Sequence, residues 1–173
     1  NNPMPTVNSY SDSVITVTPS ANTSYVGGLF GWVGATTSIG AGSKFIGSIT
    51  INNSASGSVA SNVGGIIGHI SGGPMTLDSI TVQANISSNT KSCSKFGGFI
   101  GNLGSTGAWT ISNSSVTGNI TSACPSGLIS VLNGWYAFNL TNVSYTGNLT
   151  NNQTTYVADN RVGGLIGHIA MSN

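Results

Sequence analysis

The sequence predicts an all-β protein, a β-solenoid of about five coils with a repeat near 33 residues, and three observations support this fold class. A glycine-rich phrase recurs with successive starts 37, 33 and 66 residues apart. A phrase rich in serine and threonine alternates with it. No segment shows the 3.6-residue periodicity of an amphipathic helix, and Glu, Gln and Lys are nearly absent. The four clear glycine-rich copies are VGGLFG from Val26, VGGIIG from Val63, FGGFIG from Phe96 and VGGLIG from Val162.

Residues 1–10, NNPMPTVNSY, are predicted to form an extended N-terminal arm. Pro3 and Pro5 fix φ and remove backbone donors, which disfavours a central strand. The arm could lie along a neighbouring protomer and lock a joint between copies, or it could be a disordered leader or linker, and the sequence leaves both open. Residues 11–173 are predicted to form a single β-solenoid repeat domain.

The serine- and threonine-rich phrase is typical of a half-buried strand, because small polar and β-branched residues alternate in it and turn residues bound it. Its clear copies are TLDSITVQANIS from Thr76, TISNSSVTGNIT from Thr110 and NLTNVSYTGNLT from Asn139. Weaker copies are SITINNSASGSVA from Ser48 and SDSVITVT from Ser11.

In the glycine-rich phrase, the double glycine provides conformational freedom or close backbone approach, and the apolar pair after it fills a core. A fifth, degenerate copy lies about halfway through the last gap, as SGLISVL from Ser126, without the double and closing glycines. Each unit cannot bury its apolar face alone, but stacked units share a core and a hydrogen-bond ladder with rungs about 4.8 Å apart.

The low content of charged residues argues against several classes of partner. Four residues are Lys or Arg and three are Asp, with no Glu, whereas about a quarter of a typical domain is charged. Nucleic acids and anionic membranes are not predicted as partners, because both require clustered cations. Membrane insertion is not predicted either, since glycines break every apolar run well short of the roughly 18 residues that a span needs. A chain that opens on Asn1 is consistent with a removed signal peptide or a trimmed fragment.

The segments GGLFG, GGIIG, GGFIG and GGLIG resemble the GLUG repeat of large bacterial and protist surface proteins, and more loosely the GGAI repeats of surface autotransporter passengers. The resemblance covers most of the chain through recurrence. It implies an extracellular or cell-surface repeat protein with an adhesive or scaffolding role, and it carries no catalytic residues.

Cys93 and Cys124 are 31 residues apart, close to one repeat. Residues one repeat apart lie above one another in a stack, within the roughly 5 to 6 Å between Cα atoms that a disulfide needs. We therefore expect a disulfide between adjacent coils. The alternative is a pair of buried free thiols.

Sequons for N-linked glycosylation number nine, against about five expected by chance from this composition. Three of them occupy the same place in successive serine- and threonine-rich phrases, which predicts a column on one solvent face. Covalent N-linked glycans are expected at some sites, since a nearly uncharged β surface needs a solubilising cover. The alternative is a ladder of amide hydrogen bonds along the stack. The candidate sites are Asn22, Asn52, Asn85, Asn113, Asn119, Asn139, Asn142, Asn148 and Asn152.

No catalytic residue, metal site or cofactor is predicted, and we expect that the protein is not an enzyme. His69 and His168 hold equivalent places in repeats two and five, about 14 Å apart by rung spacing and too far to share a proton or a metal. No G-x-S-x-G nucleophile motif occurs, the three Asp are isolated, and the glycine-rich turns lack the Lys-Ser/Thr of a phosphate-binding loop.

The leading functional prediction is a structural protomer of an extracellular, glycosylated filament or surface fibre, whose partners are copies of itself in a head-to-tail polymer. Solenoid ends normally carry a charged strand or a cap, and the sequence shows neither. A cell-surface adhesin that binds extracellular glycans is the alternative, with exposed aromatics as stacking platforms. An ice-binding solenoid is a further alternative, for which Thr16 and Thr18 or Thr36 and Thr37 provide only fragments of an array. The candidate aromatic platforms are Trp32, Trp109, Trp135 and Tyr136.

Overall fold

A computed structural model describes residues 6–19, 23–34, 36–53, 61–90, 93–104, 107–134, 137–153 and 161–170. Within these residues the chain is all-β, and every strand pairs in parallel with the equivalent strand of the next coil. The predicted β-solenoid is confirmed. Its strands form a ten-stranded, a four-stranded and a five-stranded sheet. In the five-stranded sheet one strand comes from each coil, so four turns separate the first coil from the fifth, close to the predicted count.

The coils follow one another in chain order. Coil 1 holds β1 (Thr6–Val7), β2 (Tyr10–Val17), β3 (Ser24–Gly27) and β4 (Phe30–Val33). Coil 2 holds β5 (Thr37–Ile39), β6 (Lys44–Ile51), β7 (Ser61–Gly64) and β8 (Ile67–Ile70). Coil 3 holds β9 (Met75–Asp78), β10 (Thr81–Ser88), β11 (Lys95–Gly97) and β12 (Ile100–Gly104). Coil 4 holds β13 (Trp109–Thr117), β14 (Ile120–Ser122), β15 (Pro125–Ser126) and β16 (Ile129–Asn133). Coil 5 holds β17 (Phe138–Thr146), β18 (Leu149–Asn151) and β19 (Ile166–Ala170).

The two predicted phrases fall in different sheets. The serine- and threonine-rich phrases form the ten-stranded sheet, and Thr110 pairs with Thr76 on one side and Asn139 on the other, as their alignment predicts. Each of the first four glycine-rich phrases forms a strand of the four-stranded sheet, a tight turn, and a strand of the five-stranded sheet. The last phrase joins the four-stranded sheet only through a bridge between Gly163 and Ser126, and then forms its strand of the five-stranded sheet. The turn hydrogen-bonds to the next coil, for example from the Phe30 amide to the Ile66 carbonyl at 2.9 Å.

The strand register corrects the spacing of the repeats. Equivalent residues of the five-stranded sheet are 37, 33, 29 and 37 residues apart, so the repeat near 33 is only an average. The connections between sheets differ in length, while the paired strands keep their places. The members of this column are Phe30, Ile67, Ile100, Ile129 and Ile166.

The strand register also shows that three phrases begin at other residues than the sequence predicts. The degenerate glycine-rich copy starts at Pro125, not Ser126, because Pro125 pairs with Phe96. Ser48 pairs with Asn85 and so lies in the middle of its phrase, which begins with β5. Ser11 likewise pairs with Phe45 inside β6. In coils 1 and 2 small polar residues occur both before and after the bend between the two strands of the phrase. Composition alone therefore does not show at which residue the phrase begins.

The solenoid pairing begins within residues 1–10. Thr6 and Val7 pair with Ser38 and Ile39, and Tyr10 is the first residue of β2. Thr6, Val7 and Tyr10 thus pair with coil 2, as the rest of coil 1 does. Residues 1–5, which contain both prolines of the predicted arm, lie outside the described residues.

The core consists of apolar columns that run along the stack. Ile49, Ile86 and Ile120 form one column in the ten-stranded sheet, and each is at most 1% exposed. The apolar residues after the double glycine lie in the same core, as predicted: Ile66, Phe99 and Leu128 are all fully buried. Burial of such side chains contributes about 1.5 to 3 kcal/mol each, so successive coils are held together chiefly by this shared interior.

The second glycine of each glycine-rich phrase is required by close approach between coils. A Cβ atom at Gly98 would lie 2.1 Å from the carbonyl oxygen of Gly127 in the next coil and 2.7 Å from Cγ1 of Val116. Gly28, Gly65 and Gly127 meet the next coil in the same way. All five coils keep glycine here, including the degenerate fourth coil, where Gly127 holds the place.

In the fourth coil, serine replaces the first and the closing glycine of the glycine-rich phrase. Ser126 pairs with Gly97 in the register, and Ser130 stands where Gly101 stands one coil earlier. Both serines are buried, at 0% and 3% exposure. The strands on either side of the turn keep their pairing, so the loss of these two glycines leaves the coil path intact.

Candidate functional site

The last coil exposes apolar residues whose equivalents are buried in the interior coils. Val162, Leu165 and Ile169 are 48%, 46% and 51% exposed. The register places Ile169 beside Leu132, and the glycine-rich phrases align the other two with Phe96 and Phe99, which are 1% and 0% exposed. Their exposure follows from position, because no further coil of the described chain lies beyond them.

The second glycine of the last coil shows the same openness. A Cβ atom at Gly164 would meet no described atom within 4 Å, whereas the equivalent atom at Gly127 would lie 1.9 Å from the Gly164 carbonyl oxygen. The surface at this end, formed by Val162, Gly164, Leu165 and Ile169, is called the trailing end below.

The first coil exposes large side chains at the opposite end. Tyr10 and Val14 on β2 are 61% and 76% exposed, and Tyr25 and Trp32 are 45% and 57% exposed. Among the described residues, β2 and β4 pair with another coil on one side only. This surface, formed by Tyr10, Val14, Tyr25 and Trp32, is called the leading end below.

Two columns of side chains connect the ends along adjacent sheets. In the five-stranded sheet Trp32, His69, Asn102, Val131 and His168 stand in register. In the four-stranded sheet the column is Tyr25, Asn62, Lys95, Cys124 and Arg161, the last placed by the bridge between Ser126 and Gly163. The columns lie close together, since the rings of Tyr25 and His69 stack with centroids 5.0 Å apart.

Burial and neighbouring charges shift the pKa values of two residues in these columns, and hydrogen bonds link the column of the five-stranded sheet. Nδ2 of Asn102 donates to Nδ1 of His69 at 2.9 Å, and Nδ2 of Asn133 donates to Oδ1 of Asn102 at 3.1 Å. Burial, and the positive charge of Lys95, lower the pKa of His69, which favours the neutral imidazole that this bond requires. Burial and the nearby Arg161 also lower the pKa of Lys95.

The predicted disulfide between Cys93 and Cys124 is present. It joins coil 3 to coil 4 across a Cα–Cα distance of 5.0 Å. The register places Cys124 beside the position of Lys95, so the two cysteines are not equivalent residues. Cys93 instead belongs to the longer connection of coil 3, which the bridge fastens to the shorter coil 4.

The sequon column predicted on the ten-stranded sheet is real and exposed. Asn85, Asn119 and Asn148 stand one above another. Oδ1 of Asn85 accepts from the Asn119 backbone amide at 2.9 Å, and Oδ1 of Asn119 accepts from the Asn148 backbone amide at 3.0 Å. The amide ladder is thus present. It is compatible with glycans, which attach through Nδ2 and leave Oδ1 as an acceptor.

A second asparagine ladder lies at the bend of the ten-stranded sheet. Asn113 and Asn142 adopt positive φ values of 49° and 53°, and Nδ2 of Asn142 donates to Oδ1 of Asn113 at 3.0 Å. Asp78 ends this ladder, since it accepts from the Ser112 hydroxyl at 2.6 Å and from Nδ2 of Asn113 and the Ser79 hydroxyl at 3.1 Å. These hydrogen bonds lower the pKa of Asp78.

The remaining sequons differ in exposure. Asn52 and Asn139 are exposed, as are Asn113 and Asn142. Asn152 is half-buried, and its Nδ2 donates to the Ser88 carbonyl. Asn22 lies outside the described residues.

The two histidines are not brought together, and no candidate metal site is assembled among the described residues. The register separates His69 from His168 by three rungs, as predicted. The described part of the chain contains no group of three or more His, Cys, Asp or Glu that could hold a metal ion. No helix in it is long and apolar enough to cross a bilayer.

The prediction that Trp109 is an exposed platform for carbohydrate stacking is wrong. Trp109 is 2% exposed, because its column in the ten-stranded sheet, with Met75 and Phe138, points into the core. Trp32 is exposed as expected, whereas Trp135 and Tyr136 lie outside the described residues. Sequence reasoning missed Tyr25, whose stacking on His69 crosses two sheets and leaves no local signal.

The hydroxyl column at Thr16 is longer than the sequence indicates, but the column beside it is not made of threonines. Thr16 stands first in register with Thr50, Ser87, Thr121 and Thr150. The next outward column consists of Val14, Ser48, Asn85, Asn119 and Asn148. A flat, regular threonine face is therefore not formed at this place.

Comparison of the chain with models of protein families, with curated proteins and with solved structures finds no match. The resemblance to the GLUG repeat stays a prediction.

Proposed function

We propose that this chain is a structural protomer of an extracellular, N-glycosylated filament, in which the trailing end of one copy stacks on the leading end of the next. The observation that carries the proposal is the exposure of Val162, Leu165 and Ile169, whose equivalents are buried in the interior coils. A further coil placed on the trailing end would bury them again. The first coil of a second copy has the same strand order, strand path and rung spacing as that missing coil.

The geometry of such a contact favours a fibre over a closed oligomer. The trailing and leading ends are different surfaces, so the contact is heterologous. Stacking along one axis does not close, and each added copy presents a new trailing end. Edge strands at both ends supply backbone donors and acceptors for the joint.

Gly164→Ala tests this proposal directly. The methyl group meets no described atom in the single chain, but at a stacked joint it would face the Gly28 carbonyl of the next copy, as Gly127 faces Gly164. We expect uniform fibres from the wild-type protein by negative-stain microscopy. We expect the variant to stay as single particles until its concentration is raised about 5- to 160-fold, the consequence of overpacking by about 1 to 3 kcal/mol.

Gly104→Ala is the matched control. A Cβ atom there makes ordinary contacts of 3.6 and 3.8 Å within the chain, and the residue lies in coil 3 away from both ends. This variant should form fibres like the wild type. Wild-type protein that remains monomeric at high concentration, or Gly164→Ala protein that polymerises normally, would contradict the proposal.

The extracellular and glycosylated parts of the proposal are supported by the disulfide and by the exposed sequons. Glycans on the ten-stranded sheet would cover its flank and point away from the stacking axis, because the column of Asn85, Asn119 and Asn148 lies on the outer face. Intact-mass measurement before and after enzymatic deglycosylation, on protein from its natural source, tests this part. We expect the loss of several glycans and an unmodified Asn152; an unchanged mass would refute glycosylation.

A carbohydrate-binding adhesin is the second candidate, favoured by the exposed Trp32 beside the stacked pair of Tyr25 and His69. Aromatic faces with nearby amide groups suit the apolar face of a sugar ring. Glycan-array binding by the Gly164→Ala monomer, lost on Trp32→Ala, would support this function. A wild-type chain that forms fibres and a monomer that binds no glycan would favour the filament alone.

A further inference from the structure

The two connecting columns carry different chemistry at their ends. At the leading end they present two aromatic rings, Tyr25 and Trp32. At the trailing end they present Arg161 and His168. The register places Arg161 in the Tyr25 column and His168 in the Trp32 column.

The chain itself shows how these columns meet between successive coils. Tyr25, in the four-stranded sheet of coil 1, stacks on His69, in the five-stranded sheet of coil 2, with an angle of 22° between the ring planes. The same step from coil 5 to the first coil of a second copy leads from Arg161 to Trp32. It also sets Arg161 directly beside Tyr25 of the next copy, one rung away.

We infer that the joint between copies is in register and that the Arg161 guanidinium of one copy stacks on Trp32, against Tyr25, of the next. The inference rests on the proposed head-to-tail assembly and identifies its contact. A planar cation on an exposed indole is a favourable pair, and an arginine can stack on both rings where a lysine offers a point charge. The partner that covers Trp32 and Tyr25 is therefore a second copy of this chain.

The pairing has consequences for the rest of the joint. In register, β19 pairs with β4, which sets Ile169 beside Val33 of the next copy, and β18 pairs with β2, which sets Thr150 beside Thr16 of the next copy. The apolar side chains of the trailing end then continue the core columns. A shift by one residue would turn them to the outer face.

Substitution of Arg161 tests the contact. Arg161→Ala should raise the critical concentration for fibre formation about 2- to 30-fold, the range of a cation–π pair. In a Trp32→Ala background the same change should have a much smaller effect, because its partner is gone. Lys44→Ala is the matched control: it removes a cation from coil 2, one rung inside the leading end and in a different sheet from the column of Arg161, and should leave the critical concentration unchanged.

Crosslinking tests the register. Thr16→Cys with Thr150→Cys should form covalent multimers on mild oxidation, because residues in register across a parallel joint have Cα atoms about 4.8 Å apart. Val14→Cys with Thr150→Cys is the control, since two residues along a strand moves the Cα atoms to about 8 Å, beyond disulfide reach. In the single chain Thr16 and Thr150 lie four rungs apart, so no bridge within one copy competes.

The outcomes separate the contact from the assembly. Fibres whose critical concentration is unchanged by Arg161→Ala, or which crosslink through the control pair, would refute the Arg161 contact. The filament proposal would then remain. A wild-type chain that forms no fibres would overturn both. Folding is checked in the Gly164→Ala monomer, where Arg161→Ala and Trp32→Ala should not lower the urea midpoint.

Discussion

Gly98→Ala should destabilise the solenoid far more than any ordinary glycine substitution. The new methyl carbon would lie 2.1 Å from the Gly127 carbonyl oxygen and 2.7 Å from Cγ1 of Val116. Ordinary contacts begin near 3.4 Å, so coil 3 and coil 4 must separate by about 1 Å at this point. Two hydrogen bonds cross the same gap, from the Gly98 amide to the Ser126 carbonyl at 3.2 Å and from the Phe99 amide to the Leu128 carbonyl at 2.8 Å.

The magnitude follows from these contacts. Overpacking costs about 1 to 3 kcal/mol, and two weakened hydrogen bonds add about 1 to 3 kcal/mol. Loss of glycine from the unfolded chain offsets about 0.4 to 1 kcal/mol of this. A net loss of about 3 kcal/mol corresponds to a fall in Tm of about 6 to 12 °C for a chain of this size.

Urea and thermal unfolding followed by far-ultraviolet circular dichroism measure the effect, with the disulfide intact. Gly164→Ala is the internal comparison, because it makes the same change in the same phrase with no described atom within 4 Å, and its free energy of unfolding should stay within about 1 kcal/mol of the wild type. Equal stability of the Gly98→Ala variant and the wild type would refute the close approach of coils.

Two further predictions concern the disulfide and the corner carboxylate. Cys93→Ser with Cys124→Ser should lower the free energy of unfolding by about 3 to 4 kcal/mol, the loop entropy of a 31-residue separation, and a reducing agent should have the same effect on the wild type; unchanged midpoints would contradict a structural bridge. The hydrogen bonds of Ser112, Asn113 and Ser79 lower the pKa of Asp78, so the stability that they provide is present above about pH 4 and is lost as the pH falls through the lowered folded-state pKa. Asp78→Asn should flatten that acid limb in urea midpoints measured from pH 2 to 7, and an unaltered limb would show that other groups control it.

The sequence predicted the repeating parts of the fold because those parts carry their own pattern. Thr76, Thr110 and Asn139 begin phrases of similar composition, and they do form one column. The bridge between Cys93 and Cys124 followed from their spacing of about one coil. Asn85, Asn119 and Asn148 were aligned correctly by the same repeat.

Other features escaped sequence reasoning for physical reasons. Trp109 was predicted to be an exposed platform, and only its orientation toward the core settles its burial. The phases of the Ser11 and Ser48 phrases were wrong, since connections of variable length hide the strand register. The stacking of Tyr25 on His69 depends on two sheets that meet only in three dimensions.

By itself the sequence determined that this protein is a stack: recurring glycine, β-branched and hydroxyl residues favour parallel strands, and no single unit of them can bury its apolar face. The tertiary structure decided the register, and with it which side chains face the core, which form outer columns, and which are left open on the first and last coils. The reason is that backbone hydrogen bonds between coils fix the phase of every strand, and a shift of one residue would exchange its inner and outer faces.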